Sequence, residues 1–259
     1  MTKFIDIHSH FNLGQFDADR DEVIRLMESK GVATICVGTD RQSSLFAIEL
    51  AEKYNSISAC IGQHPTDTDE PFIGDEFARM AVHPKVVAIG ECGFDYFRSK
   101  TPEQAETQKA LFIQQIQIAE MSSKPLMIHA RPSKGSMDAY EDALEVLSSY
   151  PDVRANFHFF VGDMRIARMI VERGYTMSYD GPITFSHDYD EVIKFVPLES
   201  IMAETDAPFA APAPYRGKRC EPWMVEEVVK RIAEIKGIEL QVVRKTLLEN
   251  AKRVFDISL

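Results

Sequence analysis

Short runs of apolar and β-branched residues recur along the chain at 3–8, 33–38, 56–62, 86–91, 125–129, 154–158, 176–178 and 201–204. Each is nearly continuous in hydrophobicity, as a strand covered on both faces is. Between the runs, apolar residues return every three or four positions, which predicts helices. Val23, Leu26 and Met27 follow the acidic start Asp19-Arg20-Asp21-Glu22, and 102–121 keeps the same spacing at length. Eight strand and helix units in one chain predict a parallel sheet closed into a (β/α)8 TIM barrel, with a doubly wound open sheet as the alternative. No Pro/Gly/Ser-rich linker divides the chain and no fixed-period repeat is visible, so 1–259 is read as a single domain. The proline-dense stretch 207–215 is a shaped loop after the eighth strand. Helices over 221–236 and 240–255, broken at Gly237, are expected to pack outside the barrel from about residue 221.

Composition narrows the picture. The chain has 259 residues, of which 45% are hydrophobic and 27% charged, a mixture that excludes disorder as the main state and suits one barrel. The net charge of −11 repels phosphate backbones, so any nucleic-acid role must be local instead of nonspecific binding along a duplex. No apolar run approaches the ~20 residues that cross a bilayer, and the opening MTKFID lacks a secretory pattern, so a soluble cytoplasmic protein is expected. Cys36, Cys60, Cys92 and Cys220 show no C-x-x-C spacing, and three lie in strand-like stretches, so reduced, unpaired thiols are expected.

The chemistry lies at the strand ends. His8 and His10 end the first strand, Glu91 the fourth, His129 the fifth, His158 the sixth and Asp206 the eighth. In a barrel these C-terminal ends converge on one mouth, so residues far apart in sequence share a site. His8 and His10, two apart on an extended chain, project to one side, inward if Asp6 also faces in. Four imidazoles and two carboxylates can hold two divalent cations with Glu91 bridging, an arrangement that suits hydrolysis of phosphate or acyl esters. A single His at a strand end is more often structural; six ligand types at five strand ends are not accidental. His83 reads as a surface residue, His187 as a helix-start cap, and Asp17, Asp19 and Asp21 as a solvated helix start.

These residues sit in longer motifs: FIDIHSHF at 4–11, FDADRDEVI at 16–24, IGQHP at 61–65, AIGECGFDYFR at 88–98, PLMIHAR at 125–131, NFH at 156–158, ETDAPF at 204–209 and YRGKR at 215–219. With them the chain resembles, end to end, the TatD family of metal-dependent deoxyribonucleases within the amidohydrolase-like hydrolases. The resemblance implies that His8, His10, Glu91 and Asp206 bind one metal and that Glu91, His129 and His158 bind the other. Asp206 would also take the proton of the attacking water, making Asp206 and Glu91 the catalytic pair. His64 is assigned to the substrate phosphate, with Arg131 and the basic loop of Arg216, Lys218 and Arg219. Glu204, two residues before Asp206, would orient a ligand from behind. Departures from the family pattern are Asn12 for a common Asp, HARPS after the fifth strand, Phe159-Phe160 after the sixth-strand His, and Cys220 for a common Asn.

The expected activity is a 3′-to-5′ exonuclease acting on single-stranded or frayed DNA ends. It would use two divalent ions, Mg²⁺ or Mn²⁺, with Zn²⁺ favoured by the His-rich ligation. The alternative keeps the site and changes the substrate to small esters, lactones, amides or aminoacyl-tRNA esters. Glu91 in the bridging position, where lactonase-like relatives carry a carboxylated Lys, tilts the reading toward the nuclease branch. A catalytically idle scaffold is disfavoured because every ligand is present. No membrane association or protein partner is legible, and a monomer or weak oligomer is expected.

Overall fold

Each apolar run becomes a strand, and each strand pairs in parallel with the next. The computed structural model describes residues 2–68, 71–99 and 101–258. The strands are Phe4–Ser9 (β1), Val32–Val37 (β2), Ile57–Ile61 (β3), Val86–Asp95 (β4), Leu126–Arg131 (β5), Ala155–Phe157 (β6), Thr176–Tyr179 (β7) and Ile201–Ala203 (β8). Their order in the sheet is the order of the chain, which a doubly wound sheet, with its reversal point, cannot give. The sheet meets itself where Asp206 N–H donates to His8 O (2.9 Å) and His10 N–H to Ala207 O (2.7 Å). The protein is therefore a (β/α)8 barrel.

Helices Arg20–Ser29 (α1), Arg41–Lys53 (α2), Gly74–Ala81 (α3), Pro102–Ser122 (α4), Asp138–Leu147 (α5), Met164–Glu172 (α6), Asp190–Phe195 (α7) and Val225–Lys236 (α8) cover the strands, and Leu240–Phe255 (α9) follows. Their starts are written locally: Asp40 with Ser43 and Thr101 with Gln104 form capping boxes, and Pro102 opens α4. Gly237 ends α8 in the left-handed conformation, as its place in the sequence predicts.

Two apolar layers result. One lies between strands and helices. The other fills the barrel with Ile5, Ile7, Ile35, Val37, Met127 and Met202, and is joined by Ala251, Val254 and Phe255 of α9 with Ile257. The end of α9 thus closes the barrel floor, where an outer position was expected. Cys36, Cys60, Cys92 and Cys220 are all buried free thiols, and burial pushes Cys36 up to about 12. No helix among the described residues is long and apolar enough to cross a membrane.

Two strands depart from regular alternation where the site will form. Asp6 pairs with Thr34 but Ser9 with Cys36, so β1 carries one extra residue; Ile89 pairs with Leu126 but Cys92 with Ile128, so β4 does too. A bulge of this kind exchanges the two faces of a strand beyond it. Before the bulge Ile5 and Ile7 point into the barrel and Asp6 points away, accepting from Thr205 N–H (2.9 Å) and Thr205 Oγ1 (2.6 Å). After it His8 and His10 turn inward. The expectation that the pair faces in together with Asp6 is corrected here: the pair is inside because the alternation breaks. In β4 Gly90 and Gly93 lie against β5, where a Cβ would fall 2.4 Å from Met127 O and 2.2 Å from His129 O. Only glycine permits that approach on either side of Glu91.

Candidate metal centre

Glu91 stands at the centre of the mouth, 4% exposed, with its two carboxylate oxygens turned to different neighbours. Oε2 lies 3.5 Å from His8 Nε2 and 3.6 Å from His10 Nε2, and Asp206 Oδ1 completes that group at 3.6 Å and 3.2 Å from the same nitrogens. The two imidazole nitrogens are 3.1 Å apart. Oε1 lies 2.7 Å from His129 Nδ1, 2.9 Å from His158 Nε2 and 3.5 Å from His64 Nε2. Donors about 2.1 Å from a tetrahedral cation are separated by about 3.4 Å, so both groups have the spacing of a coordination shell.

The far nitrogens of the rings test that fit. His10 Nδ1 contacts Val37 O at 3.0 Å, His158 Nδ1 contacts Glu204 Oε1 at 3.3 Å, and His129 Nε2 contacts Asp95 Oδ2 at 3.1 Å. Each of those partners can only accept when the carboxylates are ionised, so in the neutral ring, the form that ligates a cation, the proton sits on the outer nitrogen and the inner one offers a lone pair. His64 is built the other way. Thr66 N–H donates to its Nδ1 at 3.2 Å, which leaves the proton on Nε2, so His64 presents a donor to the centre and not a ligand atom. His8 Nδ1 is buried without a partner among the described residues.

Electrostatics follow the same grouping. Burial works to raise Glu91, but the charges of His158 and His64 and hydrogen bonds from His129 and His158 outweigh it and hold the carboxyl well below its usual range. Burial likewise opposes the charge on Asp206, and His10 with His8 overcomes it, so this carboxylate is also ionised more readily than usual. Burial and the charge of His129 lower His64. Residues that can ligate therefore supply negative charge and imidazole nitrogen where a cation would sit.

Comparison with known proteins places the chain. Residues 5–256 match the family model described as TatD related DNase. The chain belongs to the TatD family. It is 37% identical over 262 residues to the uncharacterized metal-dependent hydrolase YabD of Bacillus subtilis, covering 98% of this chain and 99% of that one. It is 31% identical to a Salmonella typhimurium TatD-family protein named as a 3′-5′ ssDNA/RNA exonuclease, covering 97% and 98%. Among solved structures, the TatD homologue YjjV of Escherichia coli superposes with a TM-score of 0.89 at 25% identity, over 99% of both chains. This TatD-family protein is a metal-dependent hydrolase with a buried His/Glu cluster able to bind metal.

Around the centre of this TatD-family barrel a cavity of about 680 Å³ opens to solvent, lined by His10, His64, Glu91, His129, His158 and Asp206 among others. Arg131 lines it, resting on the Phe97 ring at 4.3 Å with no carboxylate partner among the described residues. The basic loop does not. Arg216 and Lys218 are exposed outside the lining, Arg216 lying over Phe185 at 3.8 Å. Arg219 is taken by two acids: its guanidinium meets both Asp19 oxygens at 2.8 Å and 2.7 Å and Glu221 at 3.1 Å. Within the loop Arg219 is therefore neutralised by Asp19, the residue that precedes α1, and by Glu221, two positions further along the chain.

Glu204, fully buried, contacts His158 Nδ1 and accepts from the Phe159 N–H (2.6 Å) and Ser178 Oγ (2.5 Å). The sequence reading passed over Asp95 and Arg98. Arg98 lines the cavity and donates to Asp95 Oδ2 at 2.8 Å, behind His129. Glu91, Gly93 and Asp95 share one face of an extended strand, which is the signal that could have found Asp95. Asn12 ties β1 to β2 by donating to Val37 O and Ser43 O, both at 2.9 Å, and Cys220 is buried against Thr205 O, away from the cavity. His83 pairs with Glu52 and exposed His187 with Asp190, both away from the cavity.

Proposed function

We propose that this protein is a deoxyribonuclease that removes nucleotides from the 3′ end of single-stranded or frayed DNA, using two divalent ions. The observation that carries this reading is Glu91, whose two oxygens each face a separate set of donors at the floor of one open cavity. His8, His10, Asp206 and Glu91 Oε2 would hold one ion, and His129 Nδ1, His158 Nε2 and Glu91 Oε1 the other. Mg²⁺ or Mn²⁺ suits phosphodiester cleavage, and the imidazole-rich set also accommodates Zn²⁺. Such ions supply a water of lowered pKa and neutralise charge on the phosphate oxygens.

The chain's own residues do the rest. Asp206, with 16% of its side chain exposed and held ionised by His10 and His8, accepts the proton of the attacking water. His64 offers its Nε2–H and Arg131 its unpaired guanidinium to non-bridging phosphate oxygens. Glu204 and Asp95 fix the rings of His158 and His129. The net charge of −11 and the absence of the basic loop from the cavity favour a single strand entering the mouth over a duplex lying across it. The Salmonella relative's name agrees with that polarity and strandedness.

The test is nucleotide release from a 3′-labelled single-stranded oligonucleotide by chelator-treated protein before and after Mg²⁺, Mn²⁺ or Zn²⁺ is restored. Metal-restored release of mononucleotides by the wild type, absent in Asp206→Asn, is expected. Binding of about two ions with no release from any DNA end would move the substrate to small esters or aminoacyl-tRNA.

A further inference from the structure

Among the described residues, five other than glycine adopt positive φ: Ser123, Phe159, Asp206, Ala210 and Asp256. Ser123 and Asp256 are the C-caps of α4 and α9, where the left-handed turn is routine. The other three, at φ 45°, 51° and 50°, all line the cavity. For an aromatic residue this conformation is rare, and it persists only where the surroundings impose it. At Phe159 they do: its N–H is pinned to buried Glu204 at 2.6 Å. The consequence is a division of labour between neighbours. Phe160 is 2% exposed and packs on Tyr140 (5.3 Å between centroids), while Phe159 is only partly buried and its ring is left at the cavity wall.

A second ring completes the pattern. Phe209, 48% exposed, follows strained Asp206 on the loop beyond β8. Its ring stands 6.2 Å from that of His10, in the first donor group, while the Phe159 ring stands 6.4 Å from that of His158, in the second. One aromatic side chain thus borders each half of the centre, and neither has another aromatic partner among the described residues. Exposed rings beside a polar, charged centre are costly to leave in water and are what a flat apolar group would cover.

We propose that Phe159 and Phe209 form the subsite for the nucleobase next to the scissile phosphate, reading its stacking face and not its hydrogen-bonding edge. The assignment rests on the nuclease reading above and names the part of the substrate these rings hold. Stacking on an aromatic side chain tolerates any base, so the terminal nucleotide is recognised as a nucleotide whatever its sequence.

The experiment uses metal-loaded protein and two single-stranded oligonucleotides that differ only in their 3′-terminal residue, one bearing a base and the other an abasic tetrahydrofuran. The readout is the ratio of kcat/KM for the two. Wild type is expected to prefer the base-bearing end by roughly 5- to 150-fold, the range that one base–aromatic stack supplies. Phe159→Ala and Phe209→Ala, checked for folding by circular dichroism and melting, are expected to lower that ratio, and Phe209→Trp to keep it. A wild-type ratio near one, or a ratio unchanged in both alanine variants, overturns the subsite. Calorimetric titration with a deoxynucleoside 5′-monophosphate and with 2-deoxyribose 5-phosphate separates this outcome from failure of the nuclease reading. If no DNA is cleaved but the nucleotide binds more tightly than the sugar phosphate, and the alanine variants abolish the difference, the subsite stands and the nuclease reading falls. Equal binding of the two ligands overturns the subsite whichever way cleavage turns out.

Discussion

Asp95 Oδ2 stands 3.1 Å from His129 Nε2, on the side of the ring away from the metal centre. The same carboxylate accepts the Arg98 N–H and guanidinium, each at 2.8 Å, so its position is fixed from outside. It therefore fixes the tautomer and the plane of the one imidazole that presents Nδ1, not Nε2, to Glu91. Loss of such a partner typically weakens metal affinity 10- to 100-fold. Asp95→Ala is expected to lower metal affinity by about that factor in titration of chelator-stripped protein, and Asp95→Asn, which keeps an acceptor, by less. Equal affinities for wild type and Asp95→Ala would show that His129 needs no orientation.

Asp206 reaches the centre from a loop, and the loop is tied down one residue earlier. Thr205 gives both its N–H and its hydroxyl to buried Asp6, closing β1 against the segment after β8. Thr205→Val keeps the shape and removes the hydroxyl, leaving one Asp6 oxygen buried without that donor. We expect a loss of about 1–3 kcal/mol in denaturant unfolding. A drop in kcat should accompany it because Asp206 is next in the chain. Unchanged stability would mean that the backbone donor alone holds the clamp.

The six proposed ligands could be picked out in the sequence for one reason: each lies in the C-terminal part of a strand or just beyond it, and a barrel gathers those ends whatever their separation along the chain. His8 and Asp206, 198 positions apart, needed no spacing rule. How they face inward was not legible. Alternation from Asp6 assigns His8 and His10 to the wrong face of a regular strand, and only the pairing of Ser9 with Cys36 reveals the inserted residue. Bulges leave little trace in composition, since the extra residue can be of any type. The pairing within the basic loop was not legible for a different reason. Arg216, Lys218 and Arg219 read as free cations in sequence, but Asp19 lies 200 positions away from the guanidinium that it neutralises. Asp95 was within reach of the two-residue period and was overlooked because β4 was ended at Glu91, four residues early.

That Asp19–Arg219 pair is a structural link between the start of α1 and the loop before α8, and its removal is expected to act on stability alone. Both side chains are partly exposed, at 36% and 28%, so solvent screens the pair and Arg219→Ala is expected to cost only about 0.5–1 kcal/mol. KM for oligonucleotide should be unchanged. Hydrogen bonds from Arg219 hold the Asp19 carboxyl below its ordinary 3.8, and they outweigh the opposing effect of burial. A depressed folded pKa stabilises the native state above the unfolded value, and that contribution is lost as pH falls through the folded one. The stability gap between wild type and Arg219→Ala, measured by urea unfolding, should therefore be full at pH 5 and above and close as pH drops below about 3.8. A raised KM in the variant would restore Arg219 to the substrate.

Metal removal should expose the charge stored around Glu91. Burial works to lower His158, but the Glu91 charge, together with hydrogen bonding to Glu204 and Glu91, outweighs it and raises this imidazole well above its ordinary 6.5. The metal-free protein therefore carries a proton on His158 at neutral pH, and a cation can use Nε2 only after displacing it. Loading the stripped protein at pH 7 is expected to release protons, read as a binding enthalpy that varies with the ionisation heat of the buffer, and affinity should rise with pH until His158 is neutral. The sign for stability is the opposite of that for Asp19. A histidine raised in the folded state stabilises fully below 6.5, and its contribution is lost as pH rises through the folded value. Metal-free protein should thus melt at progressively lower temperature as pH climbs above neutral, while metal-loaded protein, whose ligands are already deprotonated, should not show that loss. Buffer-independent enthalpies would place a neutral His158 in the stripped protein and remove Glu91 as the source of its charge.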